Sequence, residues 1–300
     1  MTPYHTPALL AETLQGLDIK PVGTYVDLTF GGGGHSRAIL ERLSEKGSLW
    51  AIDQDADARV NAPTDPRFHF VEGNFRFVRG LLRAEGVREV DGVLADLGVS
   101  FHHFDSAERG FSFRTAAPLD MRMNQRARLT ATEVVNSYPP ERLIALLRDY
   151  GEVDMPHRVA GRIAEARKSA PIQTTAELIE VVRPLIPREG ETKYLSKLFQ
   201  ALRIEVNGEM EALKMALEQS RAILKTGGRL VVISYHSLED RLVKNFMKSG
   251  NFEGRVEKDF FGRASVPFEV VTRKAIVPTE AEIAANPRSR SAKLRVAIKR

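Results

Sequence analysis

The chain has 300 residues, of which 43% are hydrophobic and 28% charged, and its net charge is +5. The absence of cysteine excludes disulfides, thiolate–zinc sites, Cys-ligated iron–sulfur clusters and Cys nucleophiles. It also fits a reducing cytoplasm. The basic balance permits a polyanionic partner without requiring one. We expect neither a membrane span nor a signal peptide, because no apolar run approaches roughly 18 residues and the first residues lack the signal pattern.

Strand-like and helix-like segments alternate along the chain. Apolar patterning predicts strands over 24–30, 48–55, 68–75, 91–100, 227–237 and 293–300 and a helix over 35–47. The last strand is predicted to be half-buried, because apolar side chains alternate there with Arg295 and Lys299. Strand–helix–strand alternation favours an α/β fold with a parallel, doubly wound sheet and right-handed crossovers.

A long helical stretch interrupts this alternation. Residues 130–224 are mostly helical in pattern and contain no strand signal. We therefore predict two parts: an α/β domain from residues 1–105 and 225–300, and a connecting lid with a helical insertion domain over residues 106–224.

Four consecutive glycines, Gly31 to Gly34, follow the first strand and open the first helix of the alternation. Glycine at this place allows unusual dihedral angles and the close approach of a ligand at the carboxyl ends of the strands. A tight turn without a ligand is the alternative, although one glycine would suffice for it. The spacing Gly31-x-Gly33-x-x-Ser36 is a near miss to the dinucleotide fingerprint.

Aspartates lie at the ends of three predicted strands. Asp53 could accept hydrogen bonds from the ribose hydroxyls of an adenosine cofactor. Asp27 suits the cationic end of S-adenosylmethionine (SAM), or alternatively it caps the glycine-rich loop. Asp96 lies where cofactor and substrate would meet in this fold. Together, the three aspartates resemble the pattern of SAM-dependent methyltransferases.

Longer strings carry a closer resemblance. DLTFGGGGHS (27–36), DGVLADLGVS (91–100), RGFSFRTAAPLDMRMN (109–124), FQALRIEVNGEMEAL (199–213) and GGRLVVISYHSLEDRLVK (227–244) are similar to the MraW/RsmH family of bacterial small-subunit ribosomal RNA (cytosine-N4) methyltransferases. This resemblance implies a Rossmann-like SAM-dependent methyltransferase sheet with a helical insertion that recognises the substrate. It also implies methylation of N4 of one cytosine in the ribosomal decoding region.

The resemblance further implies a cytoplasmic protein that acts on small-subunit ribosomal RNA or on the small ribosomal subunit. It leaves open whether the chain forms a homodimer. The predicted cofactor-binding residues are Asp27, Gly31, Gly33, Gly34, His35, Asp53, Phe75, Asp96 and His103. Where the family usually has DLGVSSPQLD, this chain has DLGVSFHHFD (96–105), so His103 stands in the place of a Gln.

The residue types restrict the chemistry. Without cysteine, the chain cannot methylate C5 of cytosine through a Cys adduct, and it cannot hold a radical-SAM cluster or a deaminase zinc site. Direct methyl transfer to a heteroatom remains. For the exocyclic amine that the resemblance implies, the protein would accept an N–H hydrogen bond from the amine. Asp96 is the first candidate acceptor, ahead of the main-chain carbonyls around Gly98–Ser100. His236 could orient the base or move a proton, or it could be a structural histidine.

Aromatic and basic residues supply candidate RNA contacts. Phe111 and Phe113 could stack on a flipped base or pack a lid on the core. A phosphate-binding rim is predicted at Arg288, Arg290, Lys293 and Arg295, with a solvated basic face as the alternative.

The histidines show no metal-ligand spacing, so we predict no catalytic metal. Two rival functions remain at this point: an NAD-linked oxidoreductase, and a SAM-binding RNA-assembly factor without activity.

Overall fold

The computed structural model describes residues 7–98, 109–258, 261–262 and 265–300. Seven strands form one sheet: β1 Thr24–Asp27, β2 Ser48–Asp53, β3 Phe68–Glu72, β4 Val90–Asp96, β5 Leu224–Ser234, β6 Phe268–Val270 and β7 Lys293–Lys299. Their order is β3-β2-β1-β4-β5-β7-β6. The first five strands are parallel, whereas β7 runs antiparallel to β5 and β6. The predicted α/β class is confirmed. The antiparallel pairing of β7 with β5 and with β6, and the short strand β6 itself, were not predicted.

Eleven α-helices are assigned within the described ranges. Three precede the insertion: α1 Leu10–Leu17, α2 Gly34–Leu40 and α3 Val78–Ala84. Six follow in the stretch that was predicted to be helical: α4 Ala131–Ser137, α5 Pro140–Asp149, α6 Pro156–Ser169, α7 Thr175–Val182, α8 Glu191–Asn207 and α9 Glu209–Ile223. The last two are α10 Ser237–Ser249 and α11 Glu280–Ala285.

Local sequence determines where several helices begin. Thr130 and Glu133 form a reciprocal capping box at α4, and Thr174 and Glu177 form one at α7. Each box satisfies backbone N–H groups that the first helical turn leaves unpaired. Helices α4 and α7 therefore begin where a Thr followed three residues later by a Glu forms a cap.

Both faces of the sheet are buried. On one face, Val26 and Val93 join one apolar cluster, and on the other, Tyr25 and Leu94 join a second cluster. Successive side chains of a strand point to opposite faces, so neighbouring apolar residues enter different layers. Coverage on both faces explains why these strands read as continuous apolar runs in the sequence.

The chain divides into two compact units. Residues 7–98 and 211–300 make up the sheet unit, and residues 109–210 make up the insertion unit. The division places most of α9 in the sheet unit, because Leu213 and Leu217 pack in the same cluster as Val26 and Val93. The predicted boundary after residue 224 therefore lies one helix later than the structural one. The insertion unit has an apolar core of its own, built around residues such as Leu119, Leu146 and Leu198.

Each helix in the described ranges is too short or too polar to cross a bilayer.

Candidate functional site

Three aspartates lie at the carboxyl ends of adjacent parallel strands. Asp27 ends β1 and is in register with Ala51 of β2 and Leu94 of β4. Asp53 and Asp96 are the last residues of β2 and β4. The strand order reverses between β1 and β4, which is the point where open α/β sheets bind ligands. The sheet thus brings together the three carboxylates that the sequence predicted.

The glycine-rich loop lies between β1 and α2. Gly33 has φ +73° and its N–H donates to the carbonyl of Phe30 at 2.8 Å. An ideal Cβ at Gly33 would lie 2.8 Å from the ring of Phe30, and one at Gly34 would lie 3.0 Å from Pro7. At Gly31, by contrast, φ is +50° and an ideal Cβ would meet no atom within 4 Å. The loop is therefore tightly packed at Gly33 and Gly34 and open at Gly31.

Asp53 ties this loop to the end of β2. One carboxylate oxygen accepts the N–H of Gly31 at 2.8 Å, and the other accepts the N–H of Asp55 at 2.9 Å. A carboxylate offers about four acceptor positions, so two remain for ligand hydroxyls. Burial raises the pKa of Asp53 to about 6, although the two backbone hydrogen bonds oppose this rise. Asp53 can thus hold a diol and also titrate near neutral pH.

Asp27 lies beneath the loop. The side chain is 1% exposed, and it accepts hydrogen bonds from the hydroxyl of Ser36 at 2.7 Å and from the N–H of Thr29 at 3.0 Å. Burial raises the pKa of its carboxyl, and the hydrogen bond from Ser36 opposes this most strongly. These contacts correspond to the loop-capping alternative. A role towards the cationic end of a cofactor stays a prediction.

Asp96 lies beside His35. Nδ1 of His35 is 3.6 Å from one carboxylate oxygen of Asp96, and the N–H of Gly98 donates to the other at 3.3 Å. Nε2 of His35 lies 3.1 Å from the carbonyl of Ala8, so this nitrogen carries the hydrogen, because a carbonyl only accepts. The side chain of Asp96 is 20% exposed. Burial raises the pKa of Asp96, and the proximity of His35 and a hydrogen bond from Tyr235 oppose this.

Tyr235 is a site residue that the sequence analysis missed. It directly follows β5, and its side chain forms a hydrogen bond with Asp96. Burial and the neighbouring charge of Asp96 raise the pKa of the Tyr235 phenol. The signal was its position: β5 is the strand next to β4, so a residue just past its end reaches the same edge of the sheet.

His236 caps α10. Its Nδ1 accepts the N–H of Glu239 at 3.4 Å, and Glu239 accepts the N–H of His236 at 3.3 Å in return. Nε2 of His236 lies 3.0 Å from the other carboxylate oxygen of Glu239. This pairing corresponds to the structural alternative, and the catalytic role of His236 stays a prediction without geometric support.

Two predicted cofactor contacts lie farther along the chain. Phe75 begins the 3₁₀ turn Phe75–Phe77 just after β3, and it is partly buried against the sheet cluster. His103 lies outside the described residues.

The predicted stacking platform is packed into the insertion core. Phe111 is 5% exposed, with the guanidinium of Arg109 5.7 Å from its ring centroid. Phe113 meets Phe199 edge-on, with the ring centroids 5.6 Å apart. Phe111 is therefore covered by the core, which corresponds to the packing alternative, whereas Phe113 is only partly buried. A stacking role for either ring stays a prediction.

The four basic residues of the predicted phosphate-binding rim differ in exposure. Arg288 and Arg290 are exposed on the turn Pro287–Ser291, and Lys293 is 43% exposed. Arg295 is 8% exposed, and its guanidinium donates to both carboxylate oxygens of Asp240, at 2.7 and 3.2 Å. Arg295 therefore does not fit the rim, because its guanidinium is buried on a face of the sheet and paired with Asp240 of α10.

Comparison with known proteins identifies the family. The MraW methylase family profile matches residues 2–300. Ribosomal RNA small subunit methyltransferase H of Bacteroides thetaiotaomicron is 57% identical over 297 residues, covering 99% of this chain and 98% of that protein. The protein of the same name from Parabacteroides distasonis is 56% identical, covering 99% and 97%. Among solved structures, TrmN from Thermus thermophilus aligns with a TM-score of 0.44 at 12% identity, covering 97% of this chain and 48% of TrmN. The chain belongs to the MraW methylase family.

Proposed function

We propose that this methyltransferase transfers a methyl group from SAM to N4 of one cytosine in the decoding region of small-subunit ribosomal RNA. Family membership and relatives named as ribosomal RNA small subunit methyltransferases support the enzyme class, the cofactor and the RNA. The observation that carries the mechanism is the carboxylate of Asp96 at the end of β4, partly exposed and beside His35. It is a hydrogen-bond acceptor at the edge of the sheet where substrate and cofactor meet.

The residues present fit SAM. Asp53 keeps two acceptor positions for a ribose diol, and the loop at Gly31 leaves open space beside it. SAM carries a sulfonium and an ammonium but no pyrophosphate, so clustered carboxylates suit it better than they suit NAD. When bound, SAM supplies a methyl group whose bond to sulfur breaks with the electron pair remaining on sulfur.

Asp96 prepares the amine for this transfer. The lone pair of N4 is delocalised into the cytosine ring, so the free amine is a poor nucleophile. The Asp96 carboxylate accepts a hydrogen bond from N4–H and turns the lone pair towards the methyl carbon. As the N–C bond forms, the nitrogen gives up one proton to Asp96. The partly exposed carboxylate then releases this proton to water.

The function is tested by mass spectrometry of ribosomal RNA from cells that lack the protein. We expect the decoding-region cytosine to lose its N4 methyl group and to regain it on addition of the purified chain with SAM. Calorimetric titration with SAM and with NAD separates the oxidoreductase. A chain that binds SAM but never restores the methyl group would instead be an assembly factor.

We expect SAM affinity to depend on the ionisation of Asp53. The pKa of about 6 predicts affinity about tenfold weaker at pH 5 than at pH 7, because the protonated carboxyl loses an acceptor. Asp53→Ala should weaken binding at pH 7 by about 1–3 kcal/mol and remove most of this pH dependence. Calorimetry between pH 5 and pH 8 measures both effects.

The contribution of Asp53 to the free energy of unfolding should change with pH in the opposite direction to SAM affinity. Because the folded pKa of Asp53 exceeds the unfolded value of about 4, this group stabilises the SAM-free protein below pH 4 and loses that contribution as the pH rises through 6. Weaker binding at pH 5 is therefore not acid unfolding caused by Asp53.

Asp18→Ala is the control for the SAM-affinity measurements, since Asp18 is 66% exposed on the same unit. An unchanged SAM affinity in Asp53→Ala contradicts the placement.

Arg288 and Arg290 are proposed to contact RNA phosphates. Replacing both with Gln should weaken binding of the small subunit and reduce the slope of log affinity against log salt by about 1–2, while SAM affinity stays constant. Arg83→Gln is the matched control, because Arg83 is exposed on α3. Filter binding at several salt concentrations measures the slope. Equal slopes for the double variant and the control would remove these arginines from the RNA surface.

A further inference from the structure

Tyr235 is held firmly at the edge of the sheet. Its backbone N–H donates to Glu239 at 2.9 Å, within the capping arrangement of α10. Its ring lies against Gly98, where an ideal Cβ would come within 2.9 Å of a ring carbon. A side chain at position 98 would therefore displace the ring. The backbone bond and the close approach at Gly98 together fix where the phenol points.

The phenol points at Asp96. An ideal Cβ at Gly98 would lie 3.1 Å from Cζ of Tyr235 and 3.4 Å from Oδ1 of Asp96, so the phenol and the carboxylate approach each other over this glycine. The interaction with Tyr235 lowers the pKa of the Asp96 carboxyl, which also receives the N–H of Gly98 at 3.3 Å and faces His35 at 3.6 Å. A hydrogen bond to a charged acceptor is stronger than one between neutral groups. Among the described residues, Tyr235 and His35 are thus the two side chains that face this carboxylate and favour its charged form.

We propose that Tyr235 is a positioning residue for methyl transfer: its hydroxyl aims the Asp96 carboxylate at the target amine and keeps it ionised. This inference rests on the proposed function and deepens it: Tyr235 lies within the string GGRLVVISYHSLEDRLVK (227–244), but the sequence analysis assigned it no role. The residue acts through Asp96 and does not itself touch the reacting atoms.

The groups around Asp96 predict how the pH profile of the methylation rate changes when the Tyr235 hydroxyl is removed. Asp96 faces His35 and Tyr235, which favour its charged form, and Asp27, which opposes it. Tyr235 in turn faces Glu239 and Glu282. Removing the hydroxyl takes away one favourable contact, so the pKa of Asp96 rises further. The acid limb of the rate profile should then move to higher pH.

The test compares Tyr235→Phe with the wild-type chain in single-turnover methylation of purified small ribosomal subunits between pH 5 and pH 9. We expect a rate on the order of tenfold lower at pH 7.5, an acid limb shifted to higher pH, and nearly unchanged SAM affinity. Tyr25→Phe is the matched control, because Tyr25 is also buried and its hydroxyl accepts the N–H of Lys20 at 2.6 Å. This control should lose stability and keep both the rate and the pH profile.

A second readout follows Asp96 without using activity. In protein labelled with ¹³C at aspartate carboxyls, the Asp96 signal, assigned with Asp96→Asn, should titrate at higher pH in Tyr235→Phe than in the wild type. An unchanged titration, or a rate loss equalled by Tyr25→Phe, overturns the inference. A wild-type chain that does not methylate small subunits counts against the proposed function, and the titration still decides whether Tyr235 keeps Asp96 ionised.

Discussion

Asp96→Asn should lower the single-turnover methylation rate by about 100-fold or more, equivalent to roughly 2.7 kcal/mol of transition-state stabilisation. The substitution keeps the size of the side chain and one acceptor oxygen but removes the charge that, in the proposed mechanism, receives the proton from N4. It also leaves His35 and Tyr235 facing a neutral amide. RNA affinity should change much less, because the acceptor acts on the reacting amine alone.

Asp91→Asn is the matched control for this effect. Asp91 lies on the same strand at its other end, where it binds Lys225 and the N–H of Thr24. We expect this control to cost some stability and to keep the rate. Full turnover in Asp96→Asn would transfer the acceptor role to main-chain carbonyls after β4. The mechanism would then be wrong even though the methyltransferase assignment stands.

Gly33→Val should abolish detectable SAM binding. Gly33 has φ +73°, which a β-branched residue rarely adopts, and the added Cβ would meet the Phe30 ring at 2.8 Å. The loop must shift, and with it the N–H of Gly31 that Asp53 now binds. Calorimetric titration with SAM measures the loss, and thermal unfolding measures its cost in stability, on the order of 1–3 kcal/mol.

Gly86→Val separates backbone strain from ligand contact. Gly86 has φ +82° and no atom within 4 Å of an ideal Cβ, and it lies between α3 and β4, away from the carboxyl ends of the strands. The control should lose comparable stability and bind SAM normally. Normal SAM binding by Gly33→Val would show that the loop does not contact the cofactor.

The sheet was predictable because its strands carry two kinds of signal at once. Their apolar runs identify them, and Asp27, Asp53 and Asp96 end three of them where parallel strands share an edge. The antiparallel strand β6 was not predictable in this way. It has three residues and follows a proline, so it is too short to show a period.

Side-chain roles were harder to predict than positions. The alternation in β7 correctly predicted a strand, but Arg295 is buried against Asp240, a pairing between distant parts of the sequence. Phe111 and Phe113 were candidate stacking rings, whereas tertiary packing buries Phe111 in a core and packs the partly buried Phe113 against it. Tyr235 was missed because its importance comes from β5 lying next to β4, which the order along the chain does not reveal. Pairings of this kind depend on the folded topology.

The division of the sheet unit by the insertion also bears on how the protein is made. The insertion unit is one continuous segment with its own core, so it can begin to fold while the ribosome is still synthesising later residues. The sheet unit cannot be completed then, because β4 needs β5 as a neighbour and β5 needs β7. Asp96 and Tyr235 lie on opposite sides of the insertion in the sequence, so they can meet only after β5 has left the exit tunnel. The edge of the sheet that carries Asp96 and Tyr235 is therefore assembled late in synthesis, after the insertion unit has been made.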